Sequence, residues 1–317
     1  MQQLRTAAAL PRVKRKSRLK LFLGRWESPV AGYLFLSPWL VGFFLLTLWP
    51  MFLSVYYSFT KYTLLDVPNW IGLSNYKQIL FDDETFRKSI KVTFQFVLLA
   101  IPAKLIFALL VAMLLNKKLK GISIYRTVIY LPSLIGTSLA VSVLWKNIFS
   151  DTGFINQILN VLGIQGSNWI SNPKTALGTL ILLVVWQFGS SMIIFLAGLK
   201  QIPQDLYEAS SVDGAGKVKQ FLRITLPMLS PILLFNLVLQ VISGFQMFTQ
   251  AFVITKGGPV NSTFVYVMYL YEKGFAQFQM GYASALAWLL LLIIAVVTLL
   301  IFMSSKYWVY YESNGER

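Results

Sequence analysis

Six stretches of this chain are apolar for long enough to cross about 30 Å of hydrocarbon as helices. They run from about Ala31 to Tyr57, Val92 to Leu115, Ile124 to Trp145, Ala176 to Leu199, Met228 to Ile254, and Ala283 to Met303. The predicted fold class is an all-α integral membrane protein with about six transmembrane helices. Pro38, Pro50, Pro102 and Pro132 lie inside or at the edge of these stretches. Membrane helices tolerate proline when a neighbour re-satisfies the freed carbonyl. Between the fourth and fifth stretches lies a long polar interlude with its own pattern. Pro203 can open a helix at its first position, where a missing N–H costs nothing. Leu206, Ala209 and Ser210 then fall on one face at i, i+3, i+4 spacing. Asp213-Gly214 reads as a turn. Val218, Phe221, Leu222 and Thr225 repeat the helical spacing before Pro227 and Pro231 lead into the fifth stretch. The interlude, about residues 200–227, is therefore predicted as a short helix, a glycine turn and a second short helix.

Composition agrees with the hydropathy pattern. The 317 residues are 56% hydrophobic and 13% charged, with a mean hydropathy of +0.63; a soluble domain carries roughly 25% charged residues. The chain has no Cys and no His. That inventory excludes disulfides, zinc sites of the Cys/His type, and Ser–His–Asp or Cys–His catalysis. The net charge of +16 would suit nucleic acid, but its placement suits a membrane and argues for no nucleic-acid partner. With the N-terminus inside, the inner segments carry eighteen Lys and Arg and the outer segments nine, Lys104 lying within the second stretch. That bias puts both termini and the polar interlude on the cytoplasmic side. Residues 1–30, with Arg5, Arg12, Lys14, Arg15, Lys16, Arg18, Lys20 and Arg25, read as a retained cytoplasmic tail and not as a signal peptide. Residues 31–305 form the membrane domain and 306–317 a cytoplasmic C-terminal tail.

Polar side chains at lipid depth face a cavity or a neighbour. In the fifth stretch Gln240, Ser243, Gln246 (or Met247) and Gln250 form a helical stripe, with Asn236, Phe245 and Phe248 close by. The fourth contributes Trp186, Gln187, Ser190 and Ser191. Amides and hydroxyls beside aromatic rings suit a sugar, which offers hydroxyls and apolar faces; hydrogen bonding between spans is the alternative role for each residue. Lys104 either snorkels toward an interface or pairs with a partner subunit. No Asp or Glu lies inside any of the six stretches, which weighs against the alternative of a self-sufficient secondary transporter driven by ion coupling, and against a membrane enzyme. Gly214-Ala215-Gly216-Lys217 is the nearest approach to a phosphate-binding loop, but Ser211 stands where the first Gly belongs and Val218 where Ser or Thr belongs. The chain is therefore not expected to hydrolyse ATP.

Glu208-Ala209-Ser210, then Gly214 after three intervening residues, then Ile224, Leu226 and Pro227 resemble the EAA loop of ABC importer permeases, with Ser210 in place of the usual second Ala. Thr255-Lys256-Gly257-Gly258-Pro259 and Gly281-Tyr282-Ala283-Ser284-Ala285 resemble the closing region of the maltose-type, carbohydrate-handling permeases, and Tyr33-Leu34-Phe35-Leu36-Ser37-Pro38 the start of their first core helix. The resemblance implies a permease that forms half of an alternating-access pore for a carbohydrate, most simply an oligosaccharide. It implies coupling to a separate ATPase through Glu208, Ala209, Ser210, Asp213, Gly214, Phe221 and Pro227. The substrate pathway would use Gln187, Asn236, Gln240, Ser243, Phe245, Gln246 and Gln250. The partners implied are a second homologous permease in a heterodimeric pore, two ATPase subunits and an extracytoplasmic solute-binding protein, in a bacterial cell membrane. No cofactor is implied in this chain, ATP and Mg residing on the ATPase subunits.

Overall fold

The computed structural model describes residues 29–117, 120–136 and 138–311. The basic N-terminal tail lies outside the described residues up to residue 28, as do Lys118 and the last six residues of the C-terminal tail. The chain divides into two compact units, Met1–Tyr56 and Tyr57–Arg317.

In the first unit, α1 (Pro29–Phe43) runs through a π turn (Phe44–Leu48) into α2 (Trp49–Ser58). Its apolar side chains are largely exposed, Leu34, Phe35, Trp39 and Leu45 among them, and Trp39 stacks on Phe43. A helix that is apolar all round is suited to hydrocarbon.

The second unit is built on α3 (Glu84–Leu115), which packs against most of the other spans. Asp83 caps it, its carboxylate accepting from Phe86 N at 2.9 Å. Ala100, Ala108 and Ala112 are wholly buried along α3; such small residues let neighbouring backbones approach closely. Those neighbours include α4 (Ile122–Ile135), α7 (Ala176–Trp186), α8 (Gly189–Leu199) and α11 (Leu226–Phe245). The last span is α14 (Met280–Trp308). By length and composition four helices can each cross a membrane, and six spans result when two bent helix pairs are counted as one span each.

Those bends depart from the straight spans expected. The third span is α4 followed by α5 (Leu139–Ile148) at 99°, and the fourth is α7 followed by α8 at 44°. Each break exposes polar backbone that lipid cannot satisfy, so the breaks serve one another. Gln187, at the end of α7, donates from Nε2 to Gly136 O at 2.7 Å. Ser133 Oγ donates to Gln187 O at 3.1 Å and accepts from Ser190 N at 3.1 Å. Ser138 caps the restarted α5 through Val141 N.

The fifth span also differs. It does not begin at Met228 after a separate short helix. Residues from Lys217 onward are already its first turns, and one helical rod extends from Lys217 to Phe245 within a span that reaches Ile254. A π turn, Phe221–Thr225, sits just ahead of Pro227, where the missing N–H interrupts the hydrogen-bond ladder in any case. A local break follows Phe245, and helix resumes as α12 (Thr249–Ile254). The chain then forms α13 (Tyr266–Tyr271) before α14. Tyr266 binds this segment inward, its N–H donating to Thr93 Oγ1 and its hydroxyl to Leu286 O.

The connection after α5 folds on α6 (Phe154–Val161) and on one buried amide. Asn156 Nδ2 donates to the carbonyls of Ser150, Asp151 and Ser167, while its Oδ1 accepts from Ser167 N and from Trp169 Nε1 at 2.7 Å. Asn156→Asp keeps the shape but turns three donated bonds into oxygen–oxygen repulsion. It is expected to loosen this loop by about 2–3 kcal/mol, read as faster proteolysis between residues 150 and 170 with the spans still intact.

Candidate functional site

Two sites lie along the fifth span. The first begins with α9 (Gln204–Val212). Pro203 is the residue preceding this helix, not its first helical position, with ψ at 134°. Asp213 ends the helix and Gly214 takes φ +74°, a conformation that favours glycine. Ala215 N then donates back to Ser210 O at 2.9 Å, closing the helix end. The reversed chain enters α10 (Lys217–Gln220). There the buried Gln220 donates to Tyr207 O, Ser210 Oγ and Ser211 Oγ. Tyr207 and Thr225 join hydroxyls at 2.8 Å. The serine at position 210 thus gives Gln220 an acceptor that alanine would lack. Gln220 and Tyr207 were not among the residues singled out from sequence, and Thr225 was read only as part of the helical spacing, because their pairing spans the turn and leaves no periodic trace.

The exposed surface of this element is apolar and carries both signs of charge, Lys217, Lys219 and Arg223 being exposed on it as well. Val212 is 89% exposed, Val218 73% and Leu222 55%. Glu208, Ala209 and Asp213 are exposed beside them, while Ser210, Phe221 and Pro227 are half-buried. Glu208 Oε1 accepts from Gln204 Nε2 at 2.7 Å, one helical turn away.

The second site is a cavity of about 250 Å³ at the other end of the rod. Gln240, Ser243, Gln246 and Gln250 all line it, although the helix breaks between the second and third of them. Gln187 reaches it from the break between α7 and α8. Phe96 and Phe248 supply aromatic surface. Asn236 and Phe245 do not line it. Asn236 is wholly buried, and Phe245 packs edge-on against Phe94 at 5.1 Å. Lys104 does line it, and sequence left its position open between snorkelling and a partner subunit. Lys104 is 7% exposed, and its Nζ donates to Gln240 Oε1 at 2.8 Å. The cavity therefore presents amides, a hydroxyl, ring faces and one cation.

A third cluster lies at the opening of α3. Asp83 Oδ2 accepts from the hydroxyls of Tyr269 and Tyr282, and Lys273 Nζ lies 5.6 Å and 5.3 Å from their ring centres. Burial pushes the Asp83 carboxyl up, but the two tyrosine hydroxyls, Phe86 N–H and Lys273 outweigh it and hold the group below its ordinary range. Burial and the carboxylate push Tyr269 the other way, well above a free phenol.

The chain matches the family model described as "Binding-protein-dependent transport system inner membrane component" over residues 83–309. It is 53% identical over 290 residues to a Bacillus subtilis protein named "Probable ABC transporter permease protein YesP", covering 90% of this chain and 94% of that one. It is 34% identical over 280 residues to the "Arabinooligosaccharides transport system permease protein AraP" of the same organism, covering 87% and 88%. Among solved structures it resembles a chain of a bacterial ABC transporter for import of the acidic polysaccharide alginate, with TM-score 0.77 and 24% identity over 92% of this chain and 99% of that one. At that identity the likeness speaks for the fold.

Proposed function

The chain belongs to the family of binding-protein-dependent transport system inner membrane components, and from that premise we propose how its two sites work together. It is a pore-forming permease subunit of an ABC importer; the separate alternative of a self-sufficient secondary transporter is not favoured. It is not itself catalytic, since the ATPase of such a system is another subunit. The cavity takes a carbohydrate and the exposed face around Glu208 takes an ATPase. What supports both at once is the fifth span from Lys217 to Ile254, a continuous helical rod as far as Phe245. It starts at the reversed turn and carries Gln240, Ser243, Gln246 and Gln250 at its far end.

In this reading Glu208, with Ala209 and Asp213, meets a groove of the ATPase, and the exposed Val212, Val218 and Leu222 lose water on docking. Gly214 lets α9 fold back, Ser210 ties it to Gln220, and Phe221 and Pro227 pass the displacement into the rod. The cavity residues Gln187, Gln240, Ser243, Gln246 and Gln250 hydrogen-bond the sugar, while Asn236 and Phe245 act from behind as packing. The relatives named for saccharides supply the substrate class. The complex contains a second permease in a heterodimeric pore, two ATPase subunits that hold ATP and Mg, and an extracytoplasmic binding protein. Both termini face the cytoplasm.

Glu208→Ala tests the docking half. Pore assembly with the second permease should survive, while ATPase retention in mild detergent falls about tenfold. Unchanged retention together with unchanged uptake would exclude Glu208 from docking.

A further inference from the structure

The cavity holds a cation with no anion to match it. Lys104 sits on α3 in the middle of the second span, and its three N–H donors meet one recorded acceptor, Gln240 Oε1, among the described residues. No Asp or Glu lies within any of the six apolar stretches, and none is among the described residues that line the cavity. The nearest carboxylate in sequence on the same helix, Glu84, is twenty residues away, about 30 Å along an α-helix. A buried ammonium is costly unless it is paired or hydrogen-bonded. The neighbouring amides can offer it only neutral oxygens: Gln240 Oε1 accepts from Lys104, and Gln187, Gln246 and Gln250 line the same cavity without bringing a charge.

The rest of the cavity fits a sugar that carries such an anion. Ser243, Gln246 and Gln250 offer neutral donors and acceptors, and Phe96 and Phe248 offer apolar surface for a ring face. One fixed positive charge among neutral groups adds a preference that hydroxyls alone do not satisfy, because hydrogen bonds to a charged group are stronger than neutral ones. We propose that Lys104 is a specificity-determining residue that reads an anionic substituent, a ring carboxylate or sulfate, on an acidic oligosaccharide in this cavity. Gln240 positions the ammonium between ligands. On entry the anion takes the two remaining N–H donors and Gln240 keeps the third. This inference rests on the carbohydrate reading above and makes its substrate class narrower.

The experiment uses the assembled importer in proteoliposomes with its binding protein. Uptake is measured for uronate, 6-O-sulfated and neutral trisaccharides of gluco, galacto and manno configuration. The wild type should favour an anionic member over its neutral counterpart, and the uronate and sulfate arms show which anion is read. Lys104→Gln should lower the anionic-to-neutral ratio of kcat/KM roughly 10- to 100-fold, and Lys104→Arg should restore most of it. A ratio that Lys104→Gln leaves unmoved overturns the proposal. So does an equal fall for both members of a pair, which would assign Lys104 to a carboxylate of the neighbouring permease. A wild-type preference for the neutral sugar in every configuration overturns it while leaving the carbohydrate reading standing. A wild-type complex that imports no saccharide removes that reading, and this inference with it.

Discussion

Gly281→Ala is expected to destabilise the second unit by about 3 kcal/mol or more. A Cβ built at Gly281 would stand 2.2 Å from Thr60 O and 3.1 Å from Tyr57 O and Tyr62 N. All three are backbone atoms. Thr60 lies in the small antiparallel ribbon in which Thr60 pairs with Trp70 and Lys61 with Asn69, while Tyr57 lies in the helix before that ribbon and Tyr62 directly follows its first strand. That ribbon is itself held by Asn75, whose Nδ2 donates to Ser58 O and Thr60 O, and by Gly281 N, which donates to Tyr62 O at 3.0 Å. Nothing there can move without breaking a buried hydrogen bond. Gly198→Ala is the control. A Cβ there meets Ile232 Cδ1 at 2.2 Å and Leu229 Cδ2 at 2.9 Å, both far ends of flexible side chains. Shifts of these two side chains relieve it without moving backbone, so its cost should stay near about 1–2 kcal/mol. Thermal unfolding in detergent should therefore separate two substitutions of the same chemistry and the same nominal overlap. Equal loss in both would show that the ribbon yields.

Asp83→Ala is the second large effect, about 4–7 kcal/mol. It removes the cap of α3, worth about 1 kcal/mol, and two hydrogen bonds from buried tyrosines to an ionised acceptor, each worth about 1.5–3 kcal/mol. Asp83→Asn retains its one oxygen for the cap and turns an amide donor toward the two hydroxyls, and should lose about half as much. The pH dependence has two edges. The carboxyl is held below its ordinary range, so its contribution is present above about pH 4 and is lost as pH falls through the folded value. Tyr269 is raised, so its contribution is complete below about pH 10 and is lost only as pH rises through its folded value. Between those edges the difference in Tm between wild type and Asp83→Ala should be flat. A slope between about pH 5 and 9 would mean that other groups control this end of α3.

The six apolar segments and the turn at Gly214 were legible because each is a local pattern: a long apolar run, or helical spacing interrupted by Asp-Gly. The breaks were not. A kink at Gly136 or after Trp186 is tolerable only because Gln187 Nε2 reaches Gly136 O across fifty-one residues, and hydropathy along one segment cannot register such a partner. The same reason hid the position of Lys104, whose acceptor Gln240 is 136 residues distant. The stripe from Gln240 to Gln250 was read on an unbroken helix, yet those residues still share one cavity because the break after Phe245 keeps Gln246 on the same side. Asn236 illustrates the converse. Its polarity suggested a lining residue, but both amide atoms lie buried without a hydrogen-bond partner among the described residues. Polarity at lipid depth thus marks where a side chain is costly; three-dimensional packing determines which cavity, if any, it faces.

The rod that begins at Lys217 is also a lever arm. Gln240 stands twenty-three residues along it, about 35 Å from the pivot at 1.5 Å per residue. A swing of only about 5° at the base would sweep Gln240 through about 3 Å, if the helix moved as one piece. Such a swing is comparable to the whole length of a hydrogen bond. A stroke too small to register as a rotation of the whole subunit would therefore suffice to part Gln240 from Lys104.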